Sequence, residues 1–198
     1  MDVKVYVDGS ATGGNPSENC GVGIVVEVDG VVVREIAGNV GPGTSNTAEY
    51  KALILGLDEV LRLGLKKADC YSDSALLVNQ IHGRWRIKEP TLRALFREAQ
   101  DRINQLAAFS LSQIPRTQNR HADQLASRGG TLSPGSCSSE FELELRDTSP
   151  ISARGEDGPA AVRWVVDDLQ RRIADEEDLV RLGALKQAAA LLNQIYGL

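Results

Sequence analysis

The sequence predicts an α/β protein in which a mixed sheet is covered by helices. Two observations carry this. The first forty residues hold three strand-like runs, at 2–8, 21–28 and 31–38, and the last two meet at Asp29-Gly30, a dipeptide that favours a tight hairpin. From residue 46 to residue 130, helical and strand patterns alternate, which calls for crossover connections and parallel neighbours.

The elements follow in order. Val3, Val5 and Val7 alternate with polar residues, giving the first strand. GVGIVVEV and VVVREIAG complete an antiparallel meander. Tyr50, Leu53, Leu57 and Leu61 recur at helical spacing over 46–63, and Gly64 ends that helix. KKADCYSD (66–73) reads as a short strand and SALLVNQIHG (74–83) as a short helix stopped at Gly83. Pro90 suits the first turn of a helix over 90–107. AFSLSQIP (108–115) alternates as a strand, and NRHADQLASRGG closes at Gly129-Gly130 as a final helix.

The composition changes after residue 132. TLSPGSCSS and DTSPISARGEDGPA read as linkers, with a brief alternation, FELEL, between them. From Ala161 two apolar sets at helical spacing, Val162 to Ile173 and Leu185 to Ile195, predict an amphipathic helix pair. Three regions result: an α/β domain over 1–132, a linker with a short strand over 133–160, and a helical tail over 161–198.

The net charge of −5 is unevenly placed. Residues 1–132 carry 15 basic and 15 acidic groups, so all the excess acidity lies in the remaining 66 residues. Arg84, Arg86, Lys88, Arg93, Arg97 and Arg102 form a modest basic stripe, which is either a solvated face or a polyanion contact. No run approaches the ~18 apolar residues of a membrane helix, and nothing resembles a secretory signal. Cys20, Cys70 and Cys137 lack CxxC spacing. They read as reduced thiols of a cytoplasmic protein, two of them core filler.

VKVYVDGSATGGNP resembles a phosphate loop only superficially. Its glycines do not form G-x-G-x-x-G, no G-K-[ST] follows, and Pro16 and another strand come next where both motifs require a helix. That leaves Asp8 as a carboxylate at the end of a strand, with Gly9 and Ser10 turning the chain. Glu49, Asp73 and Asp123 are candidates to join it. Each also has a purely structural role open to it. Asn46 and Glu49 have the spacing of a capping box, Asp73 would cap the next helix, and Asp123 would face solvent. Four acids gathered at one sheet would repel one another and resist desolvation, so such a cluster persists when divalent cations neutralise it. Hard oxygen ligands suit Mg²⁺ or Mn²⁺.

YVDGS with Asn15-Pro16, TSNTAEYKALILGL, YSDSALLVNQI, HGRWRIKEP and PRTQNRHADQLA, in this order, resemble the type 1 ribonucleases H over about residues 1–130. The resemblance implies that family's fold, a five-stranded mixed sheet with strands 1–3 as the meander, flanked by helices. It implies that Asp8, Glu49, Asp73 and Asp123 bind metal. Two ions with substrate would then hydrolyse the RNA strand of an RNA–DNA hybrid, leaving 5′-phosphate and 3′-hydroxyl ends. It places Asn15 and Asn46 near the minor groove, where the 2′-hydroxyl distinguishes RNA. Thr44 and Ser74 match positions that meet a DNA-strand phosphate. One further group is expected on the loop before the last acid. Arg116 is the better candidate, since His121 lies two positions from Asp123 on a helix and would not share its face.

The long lysine-rich insertion of some family members is absent between Trp85 and Thr91. Arg84, Arg86 and Lys88 would therefore supply the phosphate contacts, with Trp85 either stacking along the substrate or filling the core. A related polynucleotidyl transferase of the same fold, or a catalytically silent hybrid-binding module, are the alternative readings. The tail would dock on the body, form a homodimer or bind a protein partner.

Overall fold

The computed structural model describes residues 2–14 and 16–140. The chain runs β1 (Val3–Thr12), β2 (Asn19–Val28), β3 (Val31–Asn39), α1 (Ser45–Arg62), β4 (Lys67–Ser72), α2 (Ala75–Ile81), α3 (Pro90–Ile103), β5 (Ala108–Gln113), a 3₁₀ turn (Arg116–Gln118), α4 (Arg120–Gly129) and β6 (Cys137–Glu140). The strands form one sheet in the order β5-β4-β1-β2-β3-β6. The β1–β2, β2–β3 and β3–β6 pairs are antiparallel, whereas β1–β4 and β4–β5 are parallel. The mixed, helix-flanked sheet expected from the sequence is present. At the β2–β3 hairpin Asp29 and Gly30 both have positive φ, 49° and 84°, as a turn matched to the strand twist requires.

The expected linker begins with a strand. Cys137–Glu140 pairs with Glu35–Gly38 on the edge of β3, adding a sixth strand to the expected five. CSSE has no apolar alternation to announce it, because an edge strand is held by its backbone ladder. FELEL and the helical tail expected over 161–198 lie outside the described residues.

Helices cover both faces of the sheet. Val5, Val7 and Ile24 pack with Leu53 and Leu57 of α1 in the main core, which also takes in Leu77, Leu92 and Leu95 from α2 and α3. Val25 and Ala37 meet Leu125 of α4 in a smaller cluster, with Tyr6 packed against it. Cys20 and Cys70 are buried in the interior and Cys137 is exposed, so the two expected core thiols are found. Glu59, buried on α1, accepts from Arg34 of β3 at 2.7 Å and from Arg62 at 2.6 Å. Those two guanidinium groups, Arg62 first, hold its carboxyl below the usual range. Among the described residues no helix is long and apolar enough to cross a membrane.

Candidate active site

Asp8 is not at the end of its strand. β1 continues to Thr12 in the ladder with β2, and Gly9 and Ser10 pair with Val22 and Gly21, so they do not turn the chain. What ends near Asp8 is the parallel pairing with β4, whose last rung joins Tyr6 to Tyr71. Two residues beyond that rung stand Asp8 on β1 and Asp73 just past the end of β4. The register alone therefore brings these two carboxylates level.

Gly9 serves a different purpose. A Cβ there would fall on the backbone of Ala48 and Glu49, well inside van der Waals contact. Only glycine lets the first turns of α1 lie directly on β1, and that approach carries Glu49 to Asp8. Gly21 and Gly23 do the same for α4, whose Ala122 and Ala126 carbonyls occupy the space a side chain would need. The Ser10 hydroxyl donates to the Ala126 carbonyl at 3.0 Å across this contact.

The purely structural roles open to the acids are filled by other residues or are incomplete. The cap of α1 is Thr44, not Asn46. Thr44 Oγ1 accepts from the Thr47 amide at 3.2 Å, and the Thr44 amide donates to Thr47 Oγ1 at 2.8 Å. This reciprocal box is closed by two threonines because the helix starts a residue earlier than its apolar pattern. Glu49 is thereby free of capping. Ser74, not Asp73, caps α2, accepting from the Leu77 amide at 3.3 Å. Asp123 does not simply face water, since Arg116 donates to its Oδ1 at 2.6 Å.

Oxygen atoms of Asp8, Glu49 and Asp73 lie within 4.8 Å of one another, a set that a hard divalent cation would fit. Asp123 is outside that group and is held at its side by Arg116. Burial, then Asp73 and Asp123, pushes the Asp8 carboxyl up to about 7. Glu49 is raised well above the ordinary carboxylate range by burial and by Asp8 and Asp73. Acids that hold protons this tightly lack countercharge, and a bound cation would supply it. The Ser72 hydroxyl, 3.5 Å from Glu49 Oε2, also accepts from the Ser74 amide at 3.1 Å, so it fixes the β4 end against α1.

The remaining expected residues surround this centre to different degrees. Asn46 and Ser74 are half-buried at the starts of α1 and α2, and Thr44 and Ser74 spend their hydroxyls on caps. Arg84, Trp85, Arg86 and Lys88 are exposed between α2 and α3. Trp85 is 50% exposed, which excludes its expected alternative role as core filler. Arg86, Lys88 and Arg93 line a shallow open cleft with Ile87. Arg102 is committed to Asp58 at 3.0 Å. His121 turns away from Asp123 and pairs with Glu35 of β3 at 2.9 Å. Asn15 lies outside the described residues.

Asn119 was not singled out by the sequence. It is buried, and its Nδ2 donates to the Val7 carbonyl at 3.0 Å and to Asp73 Oδ1 at 2.9 Å. Its position one helical turn before Asp123 was the available signal.

Such a sheet, with carboxylates converging where β1 parts from β4, defines the class of metal-dependent nucleases and their relatives that share this fold. Residues 7–129 match the family described as reverse transcriptase-like. The chain belongs to that family, and within it to the type 1 ribonucleases H. A Mycobacterium tuberculosis protein described as bifunctional is 38% identical over 128 residues, covering 64% of this chain and 35% of its own length. Ribonuclease HI of Halobacterium salinarum is 34% identical over 124 residues, covering 63% of this chain and 62% of its own. The chain thus spans about a third of the mycobacterial relative and less than two thirds of the archaeal one.

Solved structures agree. The N-terminal RNase H domain of the mycobacterial protein superimposes with a TM-score of 0.62 at 36% identity, over 66% of this chain and 99% of that one. LC11-RNase H1 in complex with an RNA/DNA hybrid gives 0.61 at 30% identity, over 65% and 96%.

Proposed function

We propose that this chain is an endoribonuclease that hydrolyses the RNA strand of RNA–DNA hybrids, leaving 5′-phosphate and 3′-hydroxyl ends. The observation that carries the reading is the convergence of Asp8, Glu49 and Asp73 within 4.8 Å, in a chain of this family. The hybrid as substrate is supported by a relative of the same fold described in complex with one.

Asp8, Glu49, Asp73 and Asp123 hold Mg²⁺ or Mn²⁺ in this reading, two ions when substrate is present. When bound, the ions supply Lewis acidity that activates the attacking water and offsets charge on the leaving 3′-oxygen. The chain's own residues bind and orient. Protons compete with the cation at Asp8 and Glu49, whose carboxyls burial and the neighbouring acids raise. Arg116, bound to Asp123 and largely exposed, meets the phosphate or steers the departing product. Asn15 and Asn46 read the minor groove, and Glu49 accepts from a 2′-hydroxyl. Arg84, Trp85, Arg86 and Lys88 track the backbone, with Thr44 and Ser74 at the DNA phosphate.

The test is cleavage of RNA–DNA hybrid, duplex RNA and duplex DNA with Mg²⁺ or Mn²⁺, alongside Asp73→Asn. Hybrid cleavage by the wild type and its loss in the variant are expected. No cleavage of hybrid, or undiminished cleavage by Asp73→Asn, would overturn the proposal.

A further inference from the structure

The amide of Asn119 is oriented without ambiguity. Its two closest partners, the Val7 carbonyl at 3.0 Å and Asp73 Oδ1 at 2.9 Å, both only accept hydrogen bonds. Turning the amide over would set oxygen against oxygen at both contacts, so both protons of Nδ2 are committed. Its Oδ1 is then buried with no partner, the only such side-chain atom among the described residues. A buried acceptor left unpaired calls for a reason beyond packing.

The two anchoring points explain its place. Val7 directly precedes Asp8 on β1, and Asp73 directly follows β4. Two carboxylates this close repel each other when both are charged, unless a cation lies between them. Asn119 spans the gap with one rigid group, pulling the Asp73 carboxylate towards the strand that carries Asp8. It stands at the start of α4, whose backbone is seated on β2 through Gly21 and Gly23. The tie therefore rests on a fixed frame and does not depend on a surface side chain.

We propose that Asn119 is a positioning residue that sets the spacing of Asp73 and Asp8 for metal loading. It touches neither substrate nor metal and acts through the Asp73 carboxylate. The inference rests on Asp73 being a metal ligand, as in the proposed function. Partners behind the ligands that fix their orientation typically change metal affinity about 10–100-fold when removed.

The experiment compares wild type with Asn119→Leu, which keeps the branched shape and removes both donors. Mn²⁺ binding to the free protein is measured by calorimetry, and hybrid cleavage is followed across metal concentration. Mn²⁺ affinity is expected to fall about 10–100-fold, with a matching rise in the metal needed for half-maximal rate. KM for hybrid should stay unchanged at saturating metal, with kcat largely recovered there. Asn119→His, which keeps one ring N–H donor, should recover part of the affinity. Unaltered Mn²⁺ affinity in folded Asn119→Leu would overturn the inference, as would lost cleavage that high metal leaves unrepaired.

A second measurement uses the wild type alone, in case the variants do not fold. The side-chain amide protons of Asn119 should exchange slowly with solvent and shift on Mg²⁺ addition. Rapid exchange, or no shift while metal binds, would also overturn it. Wild-type cleavage of hybrid is read in the same series, so failure of this tie is distinguishable from failure of the nuclease reading.

Discussion

Replacing Asp8 with asparagine should stabilise the metal-free protein while abolishing cleavage. The Asp8 carboxyl has its ordinary value of 3.8 in the unfolded chain and is raised to about 7 in the fold, first by burial and then by Asp73 and Asp123. Below pH 3.8 both states carry the proton, and the group contributes no difference. Between that value and about 7 the folded state keeps the proton and the unfolded state has lost it, so stability declines as pH rises. Above about 7 the whole penalty is present. Roughly three pH units at about 1.4 kcal/mol each make it about 4 kcal/mol. Asp8→Asn removes the charge and keeps the shape. At pH 8 in EDTA the variant should gain about 2–4 kcal/mol, or roughly 5–10 °C in Tm for a unit of this size.

At pH 5 only a little over one of those three units has been crossed, so the variant's advantage should shrink to about a third of its value at pH 8, and it should vanish below pH 3.8. Saturating Mg²⁺ should raise the Tm of the wild type by mass action and leave the variant nearly unmoved. Thermal melts of both proteins at pH 5 and pH 8, with EDTA or Mg²⁺, provide the measurement. A variant no more stable than wild type at pH 8 in EDTA would refute the claim that these acids are held together against their own repulsion.

Gly23→Ala should lift α4 from β2, costing about 1–3 kcal/mol in denaturant melts and lowering kcat, because Asp123 moves with the helix. Arg116→Ala should leave the melting curve almost unchanged, since the side chain is 76% exposed, yet reduce the hybrid cleavage rate about tenfold or more. Thr44→Ala removes the α1 cap and should cost about 1 kcal/mol, read by chemical denaturation. Alanine at Arg84, Arg86 or Lys88 should each weaken hybrid binding uniformly and reduce the salt slope by about 1 in a titration of affinity against salt.

The sequence made most of the frame legible, and the reasons are physical. The meander was readable because Asp29-Gly30 meets the turn's need for positive φ at both positions. The alternation of Val3, Val5 and Val7 and the helical spacing of Leu53 and Leu57 show directly which faces are buried. Asp8, Glu49 and Asp73 could be picked out as candidates by residue type, although Asp8 lies within β1 and not at a strand end, and Asp123 stays outside their group. The capping of α1 was misread because Asn46 and Glu49 satisfied the motif by type, while Thr44 and Thr47 satisfied it in space. β6 left no pattern because CSSE carries no apolar alternation. Gly9 was read as part of a turn, and Gly21 and Gly23 lay unremarked within a strand. Close approach between a strand and a helix distant in sequence cannot be read from either one alone.

Asn119 shows why the supporting residues of such a site are hardest to find. A metal ligand has a chemical type that limits it to a few residues, and several ligands must recur together. A positioning residue is defined by two contacts at sequence separations of 112 and 46, and by nothing in its own neighbourhood. Its cost is visible only in the folded chain, as an orphaned Oδ1 beside acids that are themselves unfavourably buried. Three penalties thus fall at one place on the sheet: repelling carboxylates, an unpaired amide oxygen, and glycines without side chains to pack. Elsewhere among the described residues the buried side-chain polar atoms have partners. Concentrated local cost of this kind is what a sheet shows where selection acts on a bound ligand rather than on the stability of the free protein.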